Sequence, residues 1–387
     1  MPGPTGRWIE SSVAGETVRA FSPAYLPPAG LKVESFYPLI DRANQALGRL
    51  DGLSRLLPNT SLFLYLYVQK EALLSSQIEG TQSSLSDLLL YESHAAPTSA
   101  ISDVEEVSNY VAAVNHGLRR IREDDFPMSL RLICEMHAIL LRGGRGANAQ
   151  PGEFRRSQNW IGGTRPGTAA FVPPPAHLLD PLLVDLERFI HAEGDGLPRL
   201  VRIALTHVQF ETIHPFLDGN GRLGRLLITL LLCADGALDQ PILYLSLYFK
   251  TYRSTYYDLL QRVQLNGEWG EWLVFFLEGV IEVARQAGGA ARSILDLFAA
   301  DRTTIQTLGR RASAALRVHE HFQRNPVSDI PRAVAATNLT YPTVSGAVSE
   351  LERAGILREM TGRARDRVFA YSAYMAILSE GAEPLPV

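Results

Sequence analysis

Residues 198–233 read PRLVRIALTHVQFETI, then HPFLDGNGRLGR, then LLITLLLC. The first segment repeats apolar residues at helical spacing through Leu200, Ile203, Ala204 and Phe210, and Pro215 stops that helix. The last segment predicts a helix from Arg222 to Cys233 that is hydrophobic on every side, which belongs at the centre of a bundle. Working outward, the same period predicts helices at 39–56, after Pro58 with Ser61 as N-cap and on towards Glu79, and at 84–92, 129–141, 176–192, 249–264 and 269–287. Ser102-Asp103-Val104-Glu105 reads as a capping box opening a helix to Glu123. Residues 1–30 are rich in Pro and Gly and read as an irregular arm, and 151–175 as a hairpin-like excursion. The fold class is mainly α.

The chain has 387 residues, 46% hydrophobic and 20% charged, with a net charge of −4. That balance gives no hint of bulk nucleic-acid or anionic-membrane binding. Arg supplies nearly all the positive charge, since only Lys32, Lys70 and Lys250 are lysines. Cys134 and Cys233 lie in apolar helical patterns and read as reduced core residues. No apolar leader opens the chain and Leu226–Leu232 is too short to cross a bilayer, so the expected location is cytoplasmic, without a membrane.

The central loop combines groups that suit phosphate chemistry. His214 is a candidate general base for a hydroxyl. Asp218 is a hard oxygen ligand suited to Mg²⁺. Gly219-Asn220-Gly221 lets backbone N–H groups turn inward as an anion nest, at the N-terminus of the following helix. Arg222 and Arg225, three apart, share a face and suit polyphosphate oxygens. Phe216 reads as the loop's anchor to the core.

This stretch resembles the signature of the Fic family, His-x-Phe-x-(Asp/Glu)-Gly-Asn-(Gly/Lys)-Arg-x-x-Arg, at every specified position. The resemblance spans about residues 10–290. It implies a Fic-type helical bundle with a small β-hairpin flap, and a protein adenylyltransferase. The substrate would be ATP with Mg²⁺; AMP would pass to a Ser, Thr or Tyr hydroxyl of a target protein, self-modification included. The implied roles are His214 as base, Asp218 as metal ligand, and Gly219, Asn220, Gly221, Arg222, Leu223, Gly224 and Arg225 as the nucleotide-binding run. De-AMPylation by the same site is the alternative reaction. A DNA-binding regulator with a nucleotide-sensing core is the alternative class, which an intact His214 argues against. A homodimer is expected from the resemblance alone.

Upstream, Ser75-Ser-Gln-Ile-Glu79-Gly80 resembles the family's inhibitory motif, (Ser/Thr)-x-x-x-Glu-(Gly/Asn). Ser75 and Glu79 share a helical face. The resemblance implies that Glu79 pairs with Arg225 and blocks the γ-phosphate site. Residues 153–175 correspond to the flap, where an exposed edge could align a target peptide by strand addition. Tyr257, next to Tyr256, is the expected adenine-pocket aromatic. The N-terminal region with its inhibitory helix would occupy 1–100 and the catalytic core 101–290.

The region 310–380 stands apart. Helical patterns at 312–324, 329–336 and 341–354 precede two short alternating runs at 357–361 and 367–371. That is a winged helix-turn-helix pattern. Arg363, Arg365 and Arg367 on the wing suit phosphate contacts, yet Glu350, Glu352, Glu359 and Asp366 nearly offset them. DNA and a protein partner both stay open for this unit.

Overall fold

The computed structural model describes residues 5–13, 15–56, 60–92, 99–143, 146–363 and 365–384. In chain order the elements are β1 (Gly6–Val13), β2 (Glu16–Pro23), α1 (Tyr37–Leu56), α2 (Thr60–Ile78), α3 (Leu85–Glu92), α4 (Ile101–Arg122) and α5 (Leu130–Leu140). There follow α6 (Leu179–Ile190), α7 (Arg199–Ile213), α8 (Asn220–Ala234), α9 (Ser246–Thr251), α10 (Arg253–Asn266) and α11 (Trp269–Gln306). The C-terminal part adds α12 (Ala312–Arg324), β3 (Val327–Asp329), α13 (Ile330–Thr337), α14 (Tyr341–Arg353), β4 (Arg358–Glu359), β5 (Val368–Ala370) and α15 (Ser372–Ser379).

The apolar helix α8 lies at the centre, as its composition requires: α7, α4, α5 and α2 all pack on it. Leu226, Leu227, Ile228, Leu230, Leu231 and Leu232 are buried around its circumference. At its start Gly219 adopts a left-handed φ of 78°, which reverses the chain into the helix. α5 begins at the Ser129 N-cap, whose side chain accepts from the Leu132 N–H at 3.3 Å.

Four expectations are corrected. The irregular arm is instead an antiparallel hairpin, β1 paired with β2 from Gly6↔Pro23 to Val13↔Glu16. Val13, Val18 and Ala20 form a small core with Val172, so burial against the flap region orders the arm. The capping box does not form: Ala100 is the N-cap of α4, and the Asp103 carboxylate accepts instead from the Gln82 N–H at 2.8 Å. The helix expected to end at 287 runs on to Gln306 through Gly288 and Gly289, held by α1, α7, α12 and α15 against the cost of two glycines. The expected flap hairpin is reduced to a single antiparallel bridge, Ile161↔Phe171; Pro166 and Pro173–Pro175 lack the N–H groups a ladder needs.

The C-terminal unit contains α12, α13 and α14 with a three-stranded antiparallel sheet in the order β3-β5-β4. Its last residues return to α2. Lys70 Nζ donates to the Glu380 carbonyl at 2.7 Å, Gln77 Nε2 to the Ala382 carbonyl at 3.0 Å, and Lys250 Nζ to the carbonyls of Gly381 and Glu383. No described helix is long and apolar enough to cross a membrane.

Candidate active site

The loop between α7 and α8 is held from several sides. His214 closes α7 as its C-cap with φ 49°, a left-handed conformation that a non-glycine residue adopts only when its surroundings impose it. The Phe210 carbonyl accepts from its N–H at 2.9 Å. Arg155 secures the same point from the flap side. Its guanidinium donates to the carbonyls of His214 (2.9 Å), Ile213 (3.3 Å), Pro174 (2.6 Å) and Ser157 (3.1 Å). One buried arginine thus ties flap entry, flap exit and the His214 backbone together.

Asn220 is not turned toward a ligand. Its side chain is buried, with Oδ1 accepting from the Phe216 N–H and Nδ2 donating to the Phe216 carbonyl, both at 2.9 Å. It closes the loop, while the first-turn N–H groups of α8 are ones an α-helix cannot satisfy internally. Phe216 is fully buried, stacked on His137 at 3.7 Å between ring centres. His137 accepts from the Gly152 N–H at Nδ1 (2.8 Å), so Nε2 carries the proton and donates to the Asp218 carbonyl (3.0 Å).

Arg225 is buried and faces α2. Nε donates to Ser75 Oγ at 2.9 Å, and Nη2 donates to the Ser75 carbonyl at 3.0 Å and to Glu79 Oε1 at 2.6 Å. Gly80, with φ 101°, ends the helical stretch directly after Glu79. Burial opposes the charge of Arg225, but Glu79 outweighs it and holds the guanidinium pKa well above its ordinary value. Burial likewise pushes Glu79 up, and Arg225 reverses this to leave its carboxyl below the ordinary value. Arg222 points elsewhere, into a buried ion pair with Glu106 at 3.0 Å, with Asp218 at 3.8 Å. Leu223 is fully buried in the core, and Gly224 packs against Phe210 and Glu211; neither side of the helix at these positions lines the cavity.

A cavity of about 350 Å³ opens beside this loop. Glu79, His214, Gly221 and Arg225 border one part, and Tyr256, Tyr257, Leu260 and Gln264 of α10 another, with Ile161 and Phe171 of the flap across it. Tyr256 is buried, its hydroxyl 2.8 Å from Nε2 of His207, while Tyr257 is 41% exposed beneath Arg253. A Cβ on Gly221 would overlap the Glu79 carboxylate, so the glycine makes room for the pair. Burial, reinforced by Arg155, lowers the His214 pKa to about 4, and its Nδ1 has no hydrogen-bond partner of regular geometry. The imidazole is therefore neutral at pH 7, the protonation state in which a general base starts.

Asp218 sits outside the cavity lining, its side chain 43% exposed, with Oδ1 accepting from the Gly219 N–H at 2.7 Å. Among the described residues no group of three or more His, Cys, Asp or Glu side chains could hold a metal. One open carboxylate fits Mg²⁺ shared with ligand phosphates, not a cation caged by protein.

Residues that the sequence did not single out for these tasks are His137, Glu106 and His207. Arg155 appeared there only as part of the flap entry.

Residues 37–119 match the family model described as Fic/DOC family N-terminal, and 127–232 match that of the Fic/DOC family. The chain is 32% identical over 188 residues to a protein named protein adenylyltransferase Fic from Culex quinquefasciatus, covering 48% of this chain and 34% of that one. A like-named protein from Drosophila ananassae is 35% identical over 135 residues, 35% of this chain and 24% of that one. The chain thus matches about a third or less of the length of these relatives. Among solved structures, a Fic family protein from Desulfovibrio desulfuricans superposes with TM-score 0.58 at 18% identity, over 90% of this chain and 98% of that one. Fic-1 from C. elegans gives 0.53 at 21% identity, over 69% and 74%. Residues 37–119 and 127–232 are therefore Fic/DOC family domains, carried on a mainly helical Fic fold.

Proposed function

We propose that this protein is a protein adenylyltransferase that moves AMP from ATP to Ser, Thr or Tyr hydroxyls, including its own. The observation that carries the reading is the meeting of His214, Gly221, Arg225 and Glu79 on one cavity with an aromatic end. The named adenylyltransferase relatives support it. In this reading the adenosine lies along Tyr257 and Leu260, and the phosphates lie over the α8 N-terminus. His214 takes the proton of the target hydroxyl, whose oxygen attacks the α-phosphorus. The bond from that phosphorus to the α,β-bridging oxygen breaks, and pyrophosphate leaves. Asp218 would hold a Mg²⁺ shared with the phosphates; when bound, the ion supplies charge compensation. The bridge Ile161↔Phe171 leaves backbone beside the cavity, and a target segment would add there by strand pairing.

Glu79 is the brake in this account. While Arg225 is tied to it at 2.6 Å, the guanidinium cannot turn to a γ-phosphate. The test is the intact mass of Glu79→Gly protein after incubation with ATP and Mg²⁺. The expected result is a gain of one or more AMP groups, absent when His214→Ala is added. No gain in Glu79→Gly, with target protein or lysate present, would overturn the reading.

We also read the C-terminal unit as a winged helix. Its order of three helices and three short strands supports this, and exposed Tyr341 begins its third helix. Arg311 and Arg353 both pair with Glu350 there, which weakens the case for DNA on that face. Binding of random duplex at low salt would decide between DNA and a protein partner.

A further inference from the structure

The cavity holds a carboxyl group that the reaction above leaves without a task. Glu211 lies on α7 one turn before His214 and lines the same cavity. The residue is only 8% exposed, and its Oε1 meets no hydrogen-bond donor. Arg225 attracts it and Glu79 repels it, and the hydrogen bonds that nearby side chains donate go to other groups. Arg225 directs Nε and Nη2 to Ser75 and Glu79. The Tyr256 hydroxyl donates to Nε2 of His207, whose Nδ1–H faces the Gly224 carbonyl at 3.1 Å. Gln264 donates to Thr212 Oγ1 at 3.3 Å.

The helix opposite is cut back to accept this carboxyl group. A Cβ on Gly224 would overlap Oε1 of Glu211, so a larger residue there would displace the carboxyl group from its present position. Among the described residues no protein donor meets this carboxyl group, and it borders the cavity, so it is placed to accept a hydrogen bond from whatever fills that space. The ligand's phosphates are not that donor: they are acceptors, and they belong with Arg225 and the α8 N-terminus. Within the nucleotide, the groups left to meet Glu211 are the neutral polar hydrogens of the nucleoside.

We propose that Glu211 is the residue by which this pocket selects its nucleoside, accepting a hydrogen bond from a ribose hydroxyl or from the exocyclic amine of the base. The assignment rests on the nucleotide reading above. Burial raises the carboxyl pKa to about 7 against the pull of Arg225, so near neutral pH a proton on one oxygen still leaves lone pairs to accept such a bond.

The experiment measures Kd for ATP, 2′-deoxyATP, 3′-deoxyATP and ITP, with Mg²⁺, in Glu79→Gly protein and in the same protein carrying E211A or E211Q. With Glu211 present, the analogue that lacks the contacted donor binds at least about ten-fold more weakly than ATP. Loss against a deoxynucleotide identifies a ribose hydroxyl, and loss against ITP identifies the amine. E211A abolishes the ratio and E211Q, a weaker neutral acceptor of the same shape, reduces it. Should E211A melt early, E211Q alone decides. Equal affinities for all four nucleotides with Glu211 present, or ratios unchanged in the variants, overturn the assignment while leaving the nucleotide reading intact. Failure of the Glu79→Gly protein to bind ATP at all overturns the nucleotide reading itself, and the assignment with it.

Discussion

Replacing Glu79 by glycine removes one acceptor from Arg225 and leaves two, Ser75 Oγ and the Ser75 carbonyl. The guanidinium therefore stays in place while Nη2 becomes available to a phosphate. A charge-assisted hydrogen bond of this kind contributes about 1.5–3 kcal/mol, which corresponds to roughly a ten- to hundred-fold change in affinity. The side chain of Glu79 is 33% exposed through the cavity, densely surrounded but reachable by water, so solvent screens part of the pair. The lower end, an ATP affinity about ten-fold tighter, is the expected outcome. Position 79 follows the end of α2 and precedes Gly80, so a further glycine there costs little helix stability. Isothermal titration with ATP and Mg²⁺ reads the effect, and Arg225→Ala completes a double-mutant cycle. The reasoning is refuted if Glu79→Gly binds ATP no more tightly than the parent, or if the gain persists when Arg225 is also removed.

Three further outcomes follow from the packing. Glu106→Ala leaves the Arg222 guanidinium buried without its 3.0 Å partner and should cost about 3–5 kcal/mol in denaturant unfolding; a double replacement by methionines should cost less. Arg155→Met orphans four carbonyls that join the flap to His214, so it should lower both the melting temperature and transfer activity while Tyr257→Phe leaves the melting temperature unchanged. Stability should rise as pH goes from 5 to 6.5. Burial lowers the pKa of His137, His214, His319 and His321 to about 4 and of His207 to about 3, so below pH 6.5 the unfolded chain takes up protons that the native state refuses. Glu71 and Glu211, raised to about 7, act in the opposite sense over this range but are outnumbered. A melting temperature that is flat or falls between those pH values would contradict the balance.

The helices and the loop were legible because both are written locally. Period-3.6 patterns and Pro215 each act within a turn or two of the chain, and α5, α7 and α8 begin and end within three residues of where they were expected. Glu79 and Arg225 were legible only through the family resemblance, because 146 residues separate them. What stayed hidden depends on contacts between distant segments. The β1–β2 hairpin is ordered by Val172, and α11 continues past Gly288 because α1 and α15 cover it. His137 is one of nine histidines, and nothing near it in sequence tells that Phe216 stacks on it or that the Asp218 carbonyl accepts from it. Asn220 and Arg222 look like ligand contacts in the loop, yet the fold turns one to Phe216 and the other to Glu106.

The central claim is that His214 directs a hydroxyl to the α-phosphorus of ATP. Parallel incubations of Glu79→Gly protein with ATP labelled at the α-phosphorus or at the γ-phosphorus test it most directly. The account predicts covalent label on protein from the α-position alone, lost in His214→Ala. Label retained from the γ-phosphorus, or α-label that survives the loss of His214, would contradict it.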